Sequence, residues 1–504
     1  MAKSQIKVGA ALGYVKMGLS VGVAFIYTPI MLRLLGKSEY GLYSLVASMA
    51  GYLSVLDMGF GNAMVRFLAK AKAKNESAKE ARLNGIFLLL YTVMGAIALV
   101  IGFVLLLNIN NIYGDKLTSE ELGKARVIMA ILVATVAISF PLSIFDSFAV
   151  ANEKYILIRI VDIVKTVVYP LLVLPLLFMG YKSISMVIVT SALTVLCHIY
   201  MLYYCFMKLR MKIVFKRDKT NTKLIKRIVN YSFFIFLGII VDVVFNNTDQ
   251  IILGSVCGTA AVAIYAVAVK ISSINMNFST AISALFLPRI TKMLERDDSE
   301  KEVSKLFIRV SRIQLYIMAF ILSAFLFLGR DFVVLWAGED YQESFLTTVV
   351  LITPSIIPLT QNVALSVIQA KNKHRFRAIV YMIIAVLNIG ISIPLAKRFG
   401  SLGAAYGTAI ANLLGQILVM NIYYAKVIKL DILGYWKNFI AFMVPIMVCL
   451  PLAMAIKNKL VNGVSWTSLA ICGLCFGVIY CVYVFLYMNK DERGQIARFC
   501  RRRR

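Results

Sequence analysis

Fourteen predominantly apolar runs, most of about 20 residues or more, follow one another along this chain with short polar breaks between them. They lie at roughly 9–35, 41–69, 83–107, 125–151, 155–179, 184–207, 228–253, 260–288, 307–328, 345–370, 378–396, 402–424, 439–456 and 465–488. A run of that length is what an α-helix needs to cross a hydrocarbon layer about 30 Å thick. Inside that layer no water satisfies the backbone, so each segment must close its own hydrogen bonds as a helix. A β-barrel would instead show segments of about ten residues with alternating polarity. Only 16% of the residues are charged and 60% are hydrophobic, against about 25% charged in soluble domains. The expected fold is an all-α polytopic membrane protein with fourteen transmembrane helices.

The formal net charge of +29 would suggest nucleic acid in a soluble protein. Here Lys and Arg concentrate in the termini and the even-numbered connections, which predicts that those segments are cytoplasmic and that both termini are inside. The largest basic connection is KLRMKIVFKRDKTNTKLIKR at 208–227, and the chain ends in Arg501 to Arg504. Both read as topology signals that also attract anionic membrane lipids; no nucleic-acid partner is expected. The outer connections are short, the longest being 108–124 and 329–344, which leaves no room for a soluble catalytic domain. The first apolar run is too long for a cleaved leader and is followed by more of the same.

A faint internal repeat supports a two-lobed arrangement. An offset of 219 residues places Ala151 on Ala370, Lys154 on Lys373 and Pro175 on Pro394, and a nearly equal offset places Gly36 on Gly254. Six spans per copy is even, so both copies enter the membrane in the same sense around an axis along its normal. The expected organisation is an N-lobe at 1–207, a basic linker at 208–227 and a C-lobe at 228–424. Two added spans at 425–488 and a basic tail at 489–504 follow. The two pseudo-symmetric six-helix lobes are expected to enclose a central cavity.

Ionisable residues inside membrane spans cost a few kcal/mol each and are retained where a partner or a passing substrate uses them. Span two, YLSVLDMGFGNAMVRFLAK, carries Asp57 near mid-depth and Arg66 about a turn from its cytoplasmic end. On an unbroken helix these two point different ways, whereas Asn62 and Arg66 share a face. Asp162 and Lys165 in span five are three residues apart and are expected to neutralise each other. In span seven Asp242, Asn246 and Asp249 form a polar stripe, and Lys270 in span eight is expected near the depth of Asp242, as a pair or in a shared wet cavity. Lys16 in span one is expected to line the inner mouth or to snorkel to it. The cationic candidates for substrate binding are therefore Arg66, Lys270, Lys16 and Lys165, with Asn62. The candidates for ion coupling or lobe closure are Asp57, Asp242, Asp249 and Asn246.

Enzymatic chemistry finds little support. The chain has two histidines, His198 and His374, and no phosphate-binding loop motif. Cys472 and Cys475 form a CxxC inside an apolar run, without a second ligand pair for a metal. No catalytic residue, metal or cofactor is expected.

The stretch YTPIMLRLLGKSEYGLYSLVASMAGYLSVLDMGFGNAMVRFLAK, Tyr27 to Lys70, resembles the polysaccharide-biosynthesis membrane proteins of the Wzx type. These belong to the multidrug/oligosaccharidyl-lipid/polysaccharide exporter superfamily. The likeness rests on GKSEYGLY at Gly36 to Tyr43 and on LDMGFG followed by Arg66, and extends loosely over all fourteen spans, including the Glu153–Lys154 turn. It implies two six-helix lobes, alternating access, and movement of an undecaprenyl-diphosphate-linked oligosaccharide from the cytoplasmic to the outer leaflet of a prokaryotic cell membrane. It also implies lipid-linked oligosaccharide as the partner in transport, with a polysaccharide polymerase or other assembly proteins as further partners. Alternatives within the superfamily are a multidrug or cation antiporter, which would prefer an acidic cavity, and a peptidoglycan-precursor flippase. A membrane polymerase would carry a long outer loop with Arg and His, which is missing here, and a non-transporting scaffold would have little use for buried charge.

Overall fold

A computed structural model describes residues 2–215, 219–284, 286–294, 299–371, 373–460, 463–489 and 492–494. The Arg501–Arg504 tail and positions 216–218 of the basic linker lie outside the described residues. All regular structure among the described residues is helical. Twelve of these helices are long and apolar enough to cross a membrane, or thirteen when a bent pair counts as one span.

Contacts divide the chain into two units. The first contains α1 (Ala2–Leu35), α2 (Lys37–Leu53), α3 (Phe60–Ala73), α4 (Ser77–Tyr113), α5 (Ser119–Ala151), α6 (Tyr155–Phe178), α7 (Ser183–Met207) and α8 (Lys219–Val256). It also takes the first turns of α9 (Thr259–Ala284) and residues 393–404. The second contains the rest of α9, then α10 (Leu287–Leu294), α11 (Ser299–Ala337), α12 (Ser344–Thr360) and α13 (Val363–Ala370). It continues with most of α14 (His374–Asn412), α15 (Met420–Tyr423), α16 (Ile432–Leu460) and α17 (Trp466–Tyr487).

In the first unit the core lies where α3, α4, α5 and α7 meet. Phe60, Met64, Leu68, Phe87, Tyr91 and Phe148 are buried there. The outward face of the middle of α4 is largely apolar, with Val100, Phe103 and Leu107 more than half exposed, as lipid contact requires. A capping box starts α5: the Thr118 hydroxyl accepts from the Glu121 amide, and the Glu121 carboxylate accepts from the Thr118 amide. Antiparallel packing of α2 on α8 carries polar pairs: Ser48 donates to the Gln250 side chain at 2.8 Å, and Tyr52 meets Thr248.

Span two departs from the expected continuous helix. α2 ends at Leu53, a tight turn covers Ser54–Asp57, and α3 begins at Phe60. Met58 and Gly59 sit at φ +50° and +71°, a left-handed pair that no helix interior tolerates. A Cβ on Gly59 would lie 2.5 Å from Ile235 of α8. Both the backbone conformation and the close approach therefore demand glycine at this position.

The stretch 376–428 passes the length test as one helical segment of 53 residues. A straight helix of that length would be about 80 Å long, more than twice the hydrocarbon thickness. Gly400, at φ +58° and ψ −134°, interrupts it, and the chain folds back. Thr408 lies against Asn388 at 3.4 Å, and a Cβ on Gly407 would meet Ser392 Oγ at 2.1 Å. The fourteen spans expected from sequence are not reached by this count, which takes 376–428 as one segment and gives thirteen only when the bent α12–α13 pair is added. A second break, of 47°, separates α12 from α13, after Pro354 and Pro358 have each removed a helical donor.

The second unit's core is aromatic. Tyr316, Phe442, Tyr480, Tyr483 and Tyr487 from α11, α16 and α17 pack edge to face or tilted. Beside them Arg312 of α11, 8% exposed, donates to both Glu492 carboxylate oxygens at 2.9 and 3.0 Å and to the Tyr316 hydroxyl at 2.7 Å. This bidentate bond ties the chain beyond α17 to α11. Burial would raise the Glu492 pKa, but the Arg312 guanidinium holds it below the usual carboxylate range.

Candidate functional site

The break in span two positions most of the polar residues singled out from sequence. Asp57 closes the turn before Gly59 and hydrogen-bonds the Tyr91 hydroxyl of α4 and the Gly59 amide. Tyr91 in turn meets Ser143 and Ser147 of α5. Asp57 is thus built into a buried polar knot joining three helices.

Asn62 and Arg66 lie beyond the break on α3, four residues apart, and both are exposed on one face. The Arg66 guanidinium stacks 4.4 Å over the Tyr231 ring of α8, and Phe67 packs edge-on against the same ring. Stacking fixes the plane of the guanidinium and leaves its N–H edge as the fork that binds planar oxyanions. Tyr231 escapes a search for charges, although an aromatic residue opposite an intramembrane Arg is the type of neighbour such a cation seeks.

The expected Asp162–Lys165 pair does not form. The Asp162 carboxylate binds Lys16 of α1 at 3.1 Å and Arg159 at 3.4 Å. Lys165 instead donates to the Thr194 hydroxyl of α7 at 2.8 Å. Spacing along α6 allowed the intrahelical pair, but the packing of α1 and α7 on α6 offered each side chain a better-aligned partner. Lys16 is consequently bound to α6 rather than reaching past the helix ends.

The span-seven stripe also divides. Asp242 and Asn246 are exposed, and Asn246 donates to the Asp242 backbone carbonyl at 2.6 Å. Asp249 is 2% exposed and accepts from the Tyr265 hydroxyl. The seven-residue spacing kept the residues near one face, but the last turn of α8 enters the packed α2–α9 junction while the middle does not. Lys270 belongs to the second unit, where it is exposed on α9.

Sequence reasoning missed several ion pairs in the first unit. Asp146 of α5 and His198 of α7 meet at 2.9 Å between Oδ2 and Nδ1. Asp146 is the sole charged residue between Arg126 and Glu153, so the rule that singled out Asp57 applied to it equally. Where Ser183 begins α7, the Glu39 carboxylate accepts from Lys124 and from the Ser183 hydroxyl. Glu39 lies in GKSEYGLY, whose acid is thus a structural anchor. Among the described residues no cluster of three or more His, Cys, Asp or Glu side chains is arranged to hold a metal.

An all-helical chain with this many spans, broken helices and intramembrane cations has the form of a multispanning transporter. The fold is that of the flippases and exporters: it matches the solved lipid II flippase MurJ in an inward closed conformation with a TM-score of 0.74 at 15% identity, over 95% of this chain and 98% of that one. An inward-facing multidrug resistance MATE family transporter matches with a TM-score of 0.61 at 13% identity, over 84% and 99%. The family model of the polysaccharide biosynthesis proteins matches residues 11–294, and the chain belongs to that family. A putative O-antigen transporter of Shigella flexneri is 22% identical over 397 residues, 78% of this chain and 91% of the relative. A probable flippase, AglR, of Haloferax volcanii is 29% identical over 178 residues, 34% of this chain and 37% of the relative. The chain is thus a multispanning membrane protein of the polysaccharide biosynthesis family with the fold shared by solved flippases and exporters.

Proposed function

We propose that the protein carries an undecaprenyl-diphosphate-linked oligosaccharide from the cytoplasmic to the outer leaflet of a prokaryotic cell membrane by alternating access, for surface polysaccharide assembly. The observation that carries this reading is the exposed Asn62–Arg66 face, with its guanidinium held over Tyr231. A diphosphate headgroup is doubly negative and strongly hydrated, and a hydrocarbon layer of about 30 Å excludes it unless a wet, cationic path replaces its water. A stacked guanidinium gives directional hydrogen bonds to phosphate oxygens. Lys270 serves the same headgroup in the second unit, and Lys16 and Lys165 supply positive charge within the first. The prenyl tail needs no such path, since lipid already solvates it.

Asp57, Asp242 and Asn246 are assigned to coupling or closure, and Asp249 to closure, since its carboxylate is committed to Tyr265. Both termini are placed in the cytoplasm, where the basic segments meet anionic lipid headgroups, and a polysaccharide polymerase receives the product outside. The O-antigen transporter relative, aligned over most of both chains, favours a sugar-bearing lipid over a soluble drug.

The test is translocation of a fluorescent lipid-linked oligosaccharide by proteoliposomes carrying wild type, Arg66→Ala, Arg66→Lys or Lys270→Ala. Arg66→Ala is expected to lower the rate about tenfold or more, equivalent to about 1.4 kcal/mol, and Arg66→Lys to recover only part of it. Normal rates in Arg66→Ala and Lys270→Ala, at wild-type expression, would remove both residues from the substrate path.

A further inference from the structure

The coupling residues named above come from spans two and seven, yet the first unit also holds an ionisable pair inside α5 and α7, Asp146 with His198. His198 lies nine residues before the end of α7, and Asp146 lies five before the end of α5. At 1.5 Å per residue the pair stands roughly 8–14 Å inside those helix ends. His198 is mostly buried, with 18% of its side chain exposed, whereas 38% of the Asp146 side chain is exposed. One partner is thus fixed in packing while the other keeps an accessible edge.

The pair is the end of a polar ladder. On α7, Thr190, Thr194 and His198 repeat every four residues and so share a face. Each rung has a partner on another helix. Thr190 meets the Tyr169 hydroxyl of α6, which also meets Tyr27 and Tyr43. Thr194 accepts from Lys165 of α6 at 2.8 Å. His198 meets Asp146 of α5 at 2.9 Å. Asp162, one turn before Lys165, holds Lys16 and Arg159. Cys197, beside His198, feels the charges of Lys165, Asp146 and Asp162 together. The charged groups nearest this part of α7 are Asp146 on α5 and Lys165 and Asp162 on α6, and Asp162 in turn carries Arg159 and Lys16 of α1. On α3, Lys72 is engaged elsewhere, with Asn152 and Glu80.

Three fixed cations face two carboxylates in this set, so the charge of the network depends on the imidazole. With Nδ1–H donated to the Asp146 carboxylate, Nε2 is the atom that takes up a proton, forming an N–H bond with no other bond broken. The imidazolium adds one positive charge. Histidine is the side chain whose ordinary titration lies between about pH 5 and pH 8. We propose that the Asp146–His198 pair is a proton-binding site, and that its occupancy sets the charge of the α1–α6–α7 network that faces an anionic substrate. The inference rests on the flippase reading for its role in transport. It places a coupling proton on α5 and α7, which leaves closure as the role for Asp57, whose carboxylate is taken up in the Tyr91 knot.

The chain's having only two histidines makes a direct test practical. Protein labelled with ¹⁵N-histidine, carrying His374→Gln, has a single imidazole to follow by solid-state NMR in liposomes. The His198 signal is expected to switch between neutral and protonated forms as pH is varied, and Asp146→Asn is expected to move the midpoint of that switch, which a purely packing role for Asp146 would not do. A signal that stays in one protonation state at every pH at which the protein remains folded, or a midpoint unmoved by Asp146→Asn, overturns the site.

The coupling role is read separately, as the rate of fluorescent lipid-linked oligosaccharide transport by proteoliposomes under an imposed pH gradient. Wild type is expected to respond to the gradient about threefold or more, and folded His198→Gln, checked by its melting temperature, to lose that response. An equal response in His198→Gln overturns the coupling. Failure of wild type to move the lipid at all would overturn the flippase reading and the coupling together, while the NMR result would still decide whether the pair binds a proton.

Discussion

At the scale of single residues, the polar groups inside the spans fall into those held by protein and those left at a surface. Asp57, Asp162, Asp249 and Glu39 are each held by named donors, whereas Arg66 and Asn62 share an exposed face. Arg312 and Glu492 are the most enclosed pair, each side chain about a tenth exposed. Removing one partner of a buried pair costs about 3–5 kcal/mol, because the other charge is left unpaired. Glu492→Gln is therefore expected to lower the melting temperature of the detergent-solubilised protein and to expose Arg493 to trypsin. The pH dependence follows from the lowered Glu492 pKa. The stabilisation is complete above the ordinary glutamate range and is lost as pH falls through the lower folded-state value. The melting-temperature gap between wild type and Glu492→Gln should thus close on acidification; a gap constant down to strongly acidic pH would contradict the clamp. Gly59→Ala makes a second residue-scale test. A left-handed backbone and a neighbour 2.5 Å from the new Cβ predict a loss of roughly 2 kcal/mol or more, measured as a lower melting temperature.

At the scale of elements, the helices that depart from regularity lie beside polar contacts. Span two breaks at Met58–Gly59, next to the Asp57–Tyr91 knot. The α12–α13 bend places Gln361 where its amide donates to Asn421 at 2.7 Å, and Asn421 lies between two widened helical turns at Leu413–Val419 and Tyr424–Ile428. Irregular backbone survives at membrane depth only where protein or water satisfies it. The existence of the spans was legible in sequence because apolar runs of 20 or so residues leave a membrane chain few options. The breaks were less so: sequence suggested a continuous span two, whereas the left-handed turn at Gly59 packs against Ile235 of α8, a residue distant in the chain. The partners of Asp162 and Lys165 were hidden for the same reason, since spacing along one helix says nothing about what α1 and α7 present to it. The antiparallel α2–α8 seam gives an element-scale prediction. Ser48→Cys with Gln250→Cys, in a background lacking reactive cysteines, should be bridged by a short bifunctional thiol reagent. If α2 and α8 must separate during the cycle, the bridge stops transport and reductant restores it. Unimpaired transport by fully bridged protein would show that this seam stays shut.

At the scale of the whole molecule, the exporter fold and the polysaccharide biosynthesis family are what the proposed flippase role builds on, and the proposed cargo rests on the chemistry of a few cations. An antiporter of cationic drugs would profit little from exposed Arg66 and Lys270, because like charge repels the cargo; a diphosphate lipid profits from both. The most direct measurement compares two cargoes in the same proteoliposomes: a fluorescent undecaprenyl-diphosphate oligosaccharide and a cationic dye. The account predicts that wild type speeds transfer of the glycolipid between leaflets well above protein-free vesicles, that Arg66→Ala loses about tenfold of that rate, and that the dye is not moved. Dye transport driven by an ion gradient, with no acceleration of the glycolipid, would contradict it.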